Sequence, residues 1–295
     1  MTACADDIAA SLHFNNPSSQ YNDGIRRAAT IRFRRGVSGS WLGPAGESSY
    51  IRSSDHNAAT SSTRTLEELS AGELVTVWTA RASMSGELHA LAGFSELRAR
   101  KMPSNVPFVQ MTNVVDNGVS YGGTLLDAAN NQPVTGDSKW RHYQSWVPTT
   151  GRTPTGGSTV LSLGAAANDP PLTVGSGHIQ CERAGAVQLS ADMLFSTTEL
   201  SADLYRQAVG VRFRLLRAGQ LSWLGPTGAS SYTRSAGPTD ASGDHVTSSS
   251  HLSTLHECEA GDQIRVYTSS MGYDTGSNMK TFAGLSEFRA VYLGA

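Results

Sequence analysis

The sequence predicts an all-β chain in which two tandem β-sandwich domains are joined by an extended middle segment. Three observations carry that expectation: a duplication spanning most of the chain, apolar residues alternating with polar ones at a period of two, and clusters of glycine and proline between the alternating runs. At 295 residues, each half is long enough to close a core of its own. Charged residues make up 16% of the chain, which suits short strands and many turns better than long surface helices.

The duplication is read from paired motifs. Ile31-Arg-Phe-Arg34 matches Val211-Arg-Phe-Arg214, and Ser40-Trp-Leu-Gly-Pro-Ala-Gly46 matches Ser222-Trp-Leu-Gly-Pro-Thr-Gly228. Ser48-Ser-Tyr50 matches Ser230-Ser-Tyr232, and Ala71-Gly-Glu73 matches Ala260-Gly-Asp262. Ala92-Gly-Phe-Ser-Glu-Leu-Arg-Ala99 matches Ala283-Gly-Leu-Ser-Glu-Phe-Arg-Ala290. The offset grows from 180 residues at Ile31 and Val211 to 191 at Ala92 and Ala283, mostly between the Ser-Ser-Tyr and Ala-Gly-Asp/Glu motifs. Insertions concentrate in surface loops, so that stretch is read as a loop. The division predicted is a first domain over 1–101, a connector over 102–177 and a second domain over 178–295.

In the second copy, Ala186 to Phe195, Ala208 to Leu215 and Gln263 to Tyr267 alternate as strands with one packed and one wet face, and Phe282 to Leu293 closes the chain as a further β run. Ile8 to Phe14, Thr30 to Arg34, Leu74 to Trp78 and Ala92 to Ala99 repeat them in the first. Arg217-Ala-Gly-Gln220, Gly225-Pro-Thr-Gly228 and Ala236-Gly-Pro-Thr239 read as the turns between. Strands at this spacing indicate a sandwich or jelly roll. Phe14 and Phe195 align, which leaves His178-Ile-Gln-Cys181 without a counterpart in the first copy. The first sandwich is therefore expected to lack an opening strand, with Val106 to Met111, or a strand of another chain, filling the gap. In the middle, Thr149 to Gly157 reads as a loop and Val160-Leu-Ser-Leu163 as a possible strand that extends the second sandwich or forms a small connector.

His178 to Phe195 resembles the second-strand signature of the C1q/TNF-like jelly rolls, with Gly185-Ala186-Val187 where that family often has Gly-Tyr. Leu255 to Val266 is similar to the family's Leu-x-x-Gly-Asp stretch, and Thr281-Phe-Ala-Gly-Leu285 to its terminal strand. Leu69 to Val77 and Leu91-Ala-Gly-Phe94 repeat both in the first copy, so the resemblance covers about two thirds of the chain. It implies two tandem jelly-roll β-sandwich domains of roughly eight to ten strands each and assembly as a homotrimer through an apolar face. Such folds recur in phage head fibres, tail fibres and capsid decoration proteins, and in secreted animal proteins.

Met1 to Asp7 carries neither a basic nor an apolar leader, and the one Asn-x-Ser sequence, Asn16-Pro17-Ser18, has proline at its centre. Cys4, Cys181 and Cys258, odd in number and far apart, are expected to be reduced and half-buried. With the tandem arrangement, these features favour a virion surface protein, made in a host cytoplasm and released without a signal peptide, or the like component of a gene transfer agent, whose partners are further copies of itself, capsid or tail proteins and host surface polysaccharide. A net charge of −2 without a Lys/Arg run, and no apolar run of membrane-spanning length, give no reason to expect nucleic acid or a membrane as partner.

No Gly-x-Ser-x-Gly elbow, His-Glu-x-x-His or P-loop is present, so the expectation is a protein that is not an enzyme, with no catalytic residues, cofactor or metal. Asp240-Ala-Ser-Gly-Asp244 offers too few oxygens for calcium. Trp41 and Trp223 are expected to pack under tight Gly-Pro turns, and the flanking Arg32, Arg34, Arg212 and Arg214 to line a wet strand face or to meet acidic groups at a subunit contact. The candidate contact site is the unduplicated cluster Trp140, Arg141, His142, Tyr143 and Trp146, whose aromatic faces suit sugar rings and whose polar groups suit hydroxyls, or which forms a partner interface. The alternative function is thus a lectin-like module using this segment.

Overall fold

A computed structural model describes residues 4–15, 27–49, 51, 58–81, 88–102, 106–113, 126–127, 132–133, 141–142, 146–148, 160–161, 171–175, 177–197, 206–230, 233–234, 247–270, 279–281 and 284–294. Every regular element among them is a strand. The first copy supplies β1 (Cys4–Asn15), β2 (Ala29–Arg35), β3 (Trp41–Glu47), β4 (Ala58–Leu69), β5 (Val75–Arg81), β6 (His89–Ala90) and β7 (Glu96–Lys101). The middle supplies β8 (Phe108–Asn113), β9 (Leu126–Asp127), β10 (Gln132–Pro133), β11 (Arg141–His142), β12 (Trp146–Pro148), β13 (Val160–Leu161) and β14 (Leu172–Gly175). The second copy supplies β15 (His178–Cys181), β16 (Gly185–Thr197), β17 (Arg206–Gln207), β18 (Val209–Arg217), β19 (Gln220–Ala229), β20 (Thr233–Arg234), β21 (Thr247–Cys258), β22 (Gln263–Ser270), β23 (Met279–Thr281) and β24 (Glu287–Gly294).

Period-two alternation closes both sandwiches as expected. In β2, Ala29, Ile31 and Phe33 are buried while Thr30, Arg32 and Arg34 stay half-buried on the other face. In β18, Val209, Val211, Phe213 and Leu215 point inward. The first sandwich sets the sheet β3-β2-β5 against β4-β1, with β6 and β7 also on β1, around Ile8, Phe14, Ile31, Phe33 and Ile51. The second sets β14-β15-β22-β18-β19 against β12-β8-β24-β16-β21, and its core is the larger, with Phe213 and Phe288 at 5.7 Å between ring centres. Burying each such side chain stabilises by about 1.5–3 kcal/mol relative to exposure.

The Ala-Gly-Glu/Asp motif is a clamped turn in both copies. Asp262 accepts the Glu259 backbone N–H at 2.8 Å and holds both prongs of Arg217 at 2.9 and 2.6 Å. Glu73 accepts the Ser70 N–H at 2.9 Å and one prong of Arg35, whose Nη2 donates to the Glu68 carbonyl at 3.3 Å. Ala218 and Gly219, both at positive φ, form the two-residue turn from β18 to β19.

Three expectations are corrected. Val106–Met111 does not complete the first sandwich: β8 pairs with β24 of the second, Phe108 opposite Val291 and Met111 opposite Phe288. β11, β12, β13 and β14 likewise join the sheets of the second sandwich. In the first, no described strand lies on the edge of β5 that β15 occupies on β22, and Leu74 and Trp78 are exposed there. The Trp-Leu-Gly-Pro motif is not a turn but a bulge inside β3 and β19, where the register shifts opposite Arg32 and Arg212. Gly43 and Gly225 take φ of +62° and +67° at that bulge, and a Cβ on Gly43 would fall 2.4 Å from the Thr65 Cβ. Finally, Cys181 and Cys258 are buried and joined in a disulfide that ties β15 to the end of β21. Their 77-residue separation hid a pair that the fold brings together. Residues 149–157 and 236–246, including Asp240 and Asp244, lie outside the described residues.

Candidate functional site

Two constellations emerge from this framework. The first is a ladder of arginine and aromatic side chains on the outer face of each three-strand unit. In the first copy, β2 places Arg32 and Arg34 on one face and β3 places Trp41 beside them, so their guanidinium carbons lie 5.7 and 5.1 Å from the Trp41 ring centre. Arg34 also lies 5.0 Å from the Trp78 ring of β5, which meets Trp41 edge-on. The second copy repeats this with Arg212, Arg214, Trp223 and Tyr267 at 4.7–5.3 Å. Trp41 is 47% exposed, so it does not pack under a Gly-Pro turn: the bulge turns it outward, onto the arginines. Each such stack is worth about 0.5–1 kcal/mol at an exposed site. The alternation Arg-x-Arg with a tryptophan on the neighbouring strand was legible; its orientation was not.

The second constellation lies where the sandwiches meet. Arg289 of β24 donates from Nε to Ser190 Oγ at 2.6 Å, from Nη2 to Asp192 Oδ2 at 2.7 Å, and from Nη1 to Glu287 Oε1 at 3.0 Å and to the Arg64 carbonyl of the first sandwich at 2.5 Å. Asp192 also bonds His251 Nδ1 at 2.6 Å, and Arg64 grips Asp7 with two prongs. An open cavity beside these groups is also lined by Ser11, Ser62 and Arg98. It brings serine, histidine and aspartate to one place, but no hydrogen bond among the described residues joins His251 Nε2 to a hydroxyl. Further along the seam, Glu47 accepts Thr247 Oγ1 at 2.6 Å and Thr30 Oγ1 at 3.2 Å, while its backbone N–H meets Ser249 Oγ at 2.9 Å.

Burial pushes the Glu47 carboxyl up to about 7 against the two hydroxyls that lower it. His251 is raised by its hydrogen bond to Asp192 and by that carboxylate's charge. Burial raises Asp192 too, but Arg289, His251 and Arg64 more than reverse it and hold it below its ordinary value. The signs follow by linkage. Glu47 binds its proton more tightly folded than unfolded, so its contribution to stability is greatest below about pH 4.5 and declines until about pH 7. His251 adds stability below its unfolded value of 6.5 that is lost above it, and Asp192 adds stability lost only as pH falls through its depressed folded value. Stability is therefore expected to be greatest near about pH 5 and to fall toward about pH 8. Glu47→Gln, which keeps a hydrogen-bonding side chain, is expected to flatten the limb below about pH 7. Urea midpoints across that range check it; identical slopes for the two proteins would refute the assignment.

The candidate cluster in the middle segment is divided. Trp140 and Tyr143 lie outside the described residues. Arg141 and His142 form β11, opposite Thr268 and Tyr267 on the sheet that bears the second ladder. Trp146 opens β12, on the opposite sheet beside β8. His256, Cys258 and Asp262 have possible metal-ligating atoms within 4.8 Å of one another, but the Cys258 sulfur is in the disulfide and Asp262 holds Arg217, so the trio is a structural knot.

Fold and site together define a tandem jelly-roll β-sandwich protein bearing two copies of one cation–aromatic strip, exposed at Trp41 and Trp78 in the first copy and more covered in the second, where Trp223 is half-buried and Tyr267 is buried. No family model matches the chain, and no curated protein matches it. Among solved structures the chain is similar to murine APRIL at pH 8.0, at 13% identity and a TM-score of 0.36, over 64% of this chain and 99% of that one. It is also similar to Eiger TNF from S. frugiperda, at 15% identity and a TM-score of 0.36, over 64% of this chain and 94% of that one.

Proposed function

We propose that the chain is a non-enzymatic structural and adhesive protein of a particle surface: a phage or gene-transfer-agent head fibre, decoration or tail-fibre component that presents its sandwiches to a receptor. The supporting observation is the ladder of the first sandwich, where the exposed rings of Trp41 and Trp78 flank Arg34, repeated in a more covered form by Arg214, half-buried Trp223 and buried Tyr267 of the second: the chemistry suits an acidic surface polysaccharide. The seam between sandwiches, with its buried ions, supports a rigid body suited to bearing load. The virion context is carried over from the resemblance to phage fibre domains. The disulfide withdraws one ground for preferring it to a secreted protein, and fits a working life outside a reducing cytosol. Self-association, expected as a homotrimer, belongs to the same reading.

Glycan recognition is the more specific reading at this surface. It is favoured by the register that sets His142 opposite Tyr267, so that β11 of the middle segment extends the sheet of the second ladder. The test is binding to a panel of acidic and neutral polysaccharides. Trp41→Ala with Trp223→Ala is expected to weaken binding at least about tenfold, ~1.4 kcal/mol, in a protein that stays folded and whose melting temperature falls only by the few degrees the lost stacks supply. Absence of any glycan signal from the parent would remove the adhesive half of the proposal. Failure of the protein to sediment with particles from its source culture would remove the virion half.

A further inference from the structure

The two sandwiches are copies, yet matching residues meet different fates. Leu66 on β4 is 2% exposed, whereas its counterpart Leu255 on β21 is 63% exposed. β3 is buried along most of its length, while β19, with the same Trp-Leu-Gly-Pro motif, is largely exposed. β24 is buried over Glu287–Val291, and β7, its counterpart, is exposed throughout.

One contact covers Leu66, β3 and the Glu287 and Arg289 side of β24, while Phe288 and Ala290 face the second sandwich's own core and β8 pairs along β24. The β3–β4 edge of the first sandwich lies on the β16–β24 face of the second. Ala45 N–H meets the Leu285 carbonyl at 3.3 Å, Arg32 Nη2 the Gly284 carbonyl at 2.6 Å, and Arg289 the Arg64 carbonyl at 2.5 Å. Leu66 closes a small core with Met102, Phe108 and Val291. The contact is heterologous, an edge of one copy on a face of the other. Each copy carries the edge and the strands of the face, although Arg100 stands where the second copy has Val291 and β8 has no described counterpart beside β7, so one edge and one face remain open: the β19–β21 edge of the second sandwich and the β1–β7 face of the first. The open surfaces retain matching groups. Arg212, the counterpart of Arg32, has a buried Nε without a hydrogen-bond partner among the described residues. Arg98, the counterpart of Arg289, is exposed and among the described residues bonds Glu96 alone, and Phe94 in the turn matching Leu285 is 73% exposed.

We propose that a second copy of this chain occupies these surfaces: the open edge of one chain's second sandwich docks on the open face of another chain's first sandwich, repeating the contact within the chain. Arg98 then reaches across as Arg289 does, and Leu255 is covered in the place of Leu66, against the aliphatic stem of Arg100 where Leu66 meets Val291. A heterologous contact of this kind closes into a ring or runs on as a filament, and a homotrimer of whole chains is one closed form. The inference names the surfaces behind the self-association proposed above. It rests on the fold alone, so it stands or falls separately from the particle and glycan readings.

The test is the mass of the full chain in solution by light scattering, with Leu255→Arg spoiling the edge and Arg98→Glu spoiling the face. Both sites are exposed in the single chain, so the melting temperature should hold; Thr227→Lys is a second edge variant. The parent is expected to form assemblies of two or more chains. Each single variant is expected to run as one chain. Mixing Leu255→Arg with Arg98→Glu is expected to give two-chain complexes and nothing larger, because each variant retains one intact surface. A parent that stays a single chain at every concentration, assemblies that survive both substitutions, or a mixture that remains single chains would overturn the proposal.

Discussion

Arg289→Ala is expected to lower the free energy of unfolding by about 3–5 kcal/mol, while Arg98→Ala, the same change at the matching position of the first copy, is expected to leave the urea midpoint where it is. The two arginines sit in the same Ser-Glu-x-Arg-Ala motif. Arg289 is 2% exposed and is the cation shared by Asp192 and Glu287, themselves buried, and it satisfies Ser190 and a carbonyl of the other sandwich. Removing it takes away the cation that two buried carboxylates share: Asp192 keeps its bond to His251 and Glu287 its bond from Thr65, but neither replaces the guanidinium's charge and its hydrogen bonds. Arg98 is 72% exposed, and its pairing with Glu96 is a surface ion pair in bulk solvent. A second variant separates burial of charge from loss of packing: Arg289→Met with Glu287→Leu and Asp192→Leu removes the ions together and is expected to recover most of the lost stability. Equal effects of Arg289→Ala and Arg98→Ala would mean that the seam between the sandwiches does not exist in solution.

That contrast shows what the sequence makes legible. Alternation is a local property, so Ile31 and Phe33, Val211 and Phe213 declare an inward face to anyone who counts by twos. The duplication then places the strands twice. Docking of one copy on the other is not local, and it acts on residues that the duplication keeps alike: Glu96 and Arg98 read the same as Glu287 and Arg289, and Leu66 the same as Leu255. No pattern within a strand separates the buried from the exposed member. The Val106–Met111 strand illustrates the same limit. Phe108, Val109 and Met111 announce a strand buried on both faces, but its partner lies at the far end of the chain, and sequence proximity pointed to the wrong sandwich. Gly-Pro after Trp-Leu failed for another reason: a positive φ followed by proline serves a turn or a bulge equally well, and only the register across β2 and β3 distinguishes them. The ladder was half legible. The arginines and the tryptophan were recognised, but their stacking needs the strand order β3-β2-β5 that sets Trp41 and Trp78 on either side of Arg34.

Reduction of Cys181–Cys258 is the other change expected to be large. Cys181 ends β15 in one sheet and Cys258 ends β21 in the facing sheet, so the bond ties the two layers of the second sandwich at one end. It closes a loop with a sequence separation of 77 residues, and in the chain-entropy account a loop of that length contributes about 4–5 kcal/mol by restricting the unfolded chain. A loss of that size in a body of 295 residues lowers the melting temperature by about 7–8 °C. The same neighbourhood makes the loss specific: Cys181 N–H bonds the Asp262 carbonyl at 2.9 Å and Gly261 N–H the Cys181 carbonyl at 2.7 Å, so the clamped Ala-Gly-Asp turn meets the disulfide at its own backbone. The first copy has Leu69 where the second has Cys258, inside an apolar cluster, and holds the equivalent corner by packing. Thermal scans with and without reductant measure the effect, and the Cys181→Ala, Cys258→Ala double variant should melt low in both conditions. Alkylation of both thiols in the folded, unreduced protein with no change in melting would show the bond to be absent. The full shift would instead show that the bond, and not packing alone, holds this end of the second sandwich together, so that its stability depends on the redox poise around it.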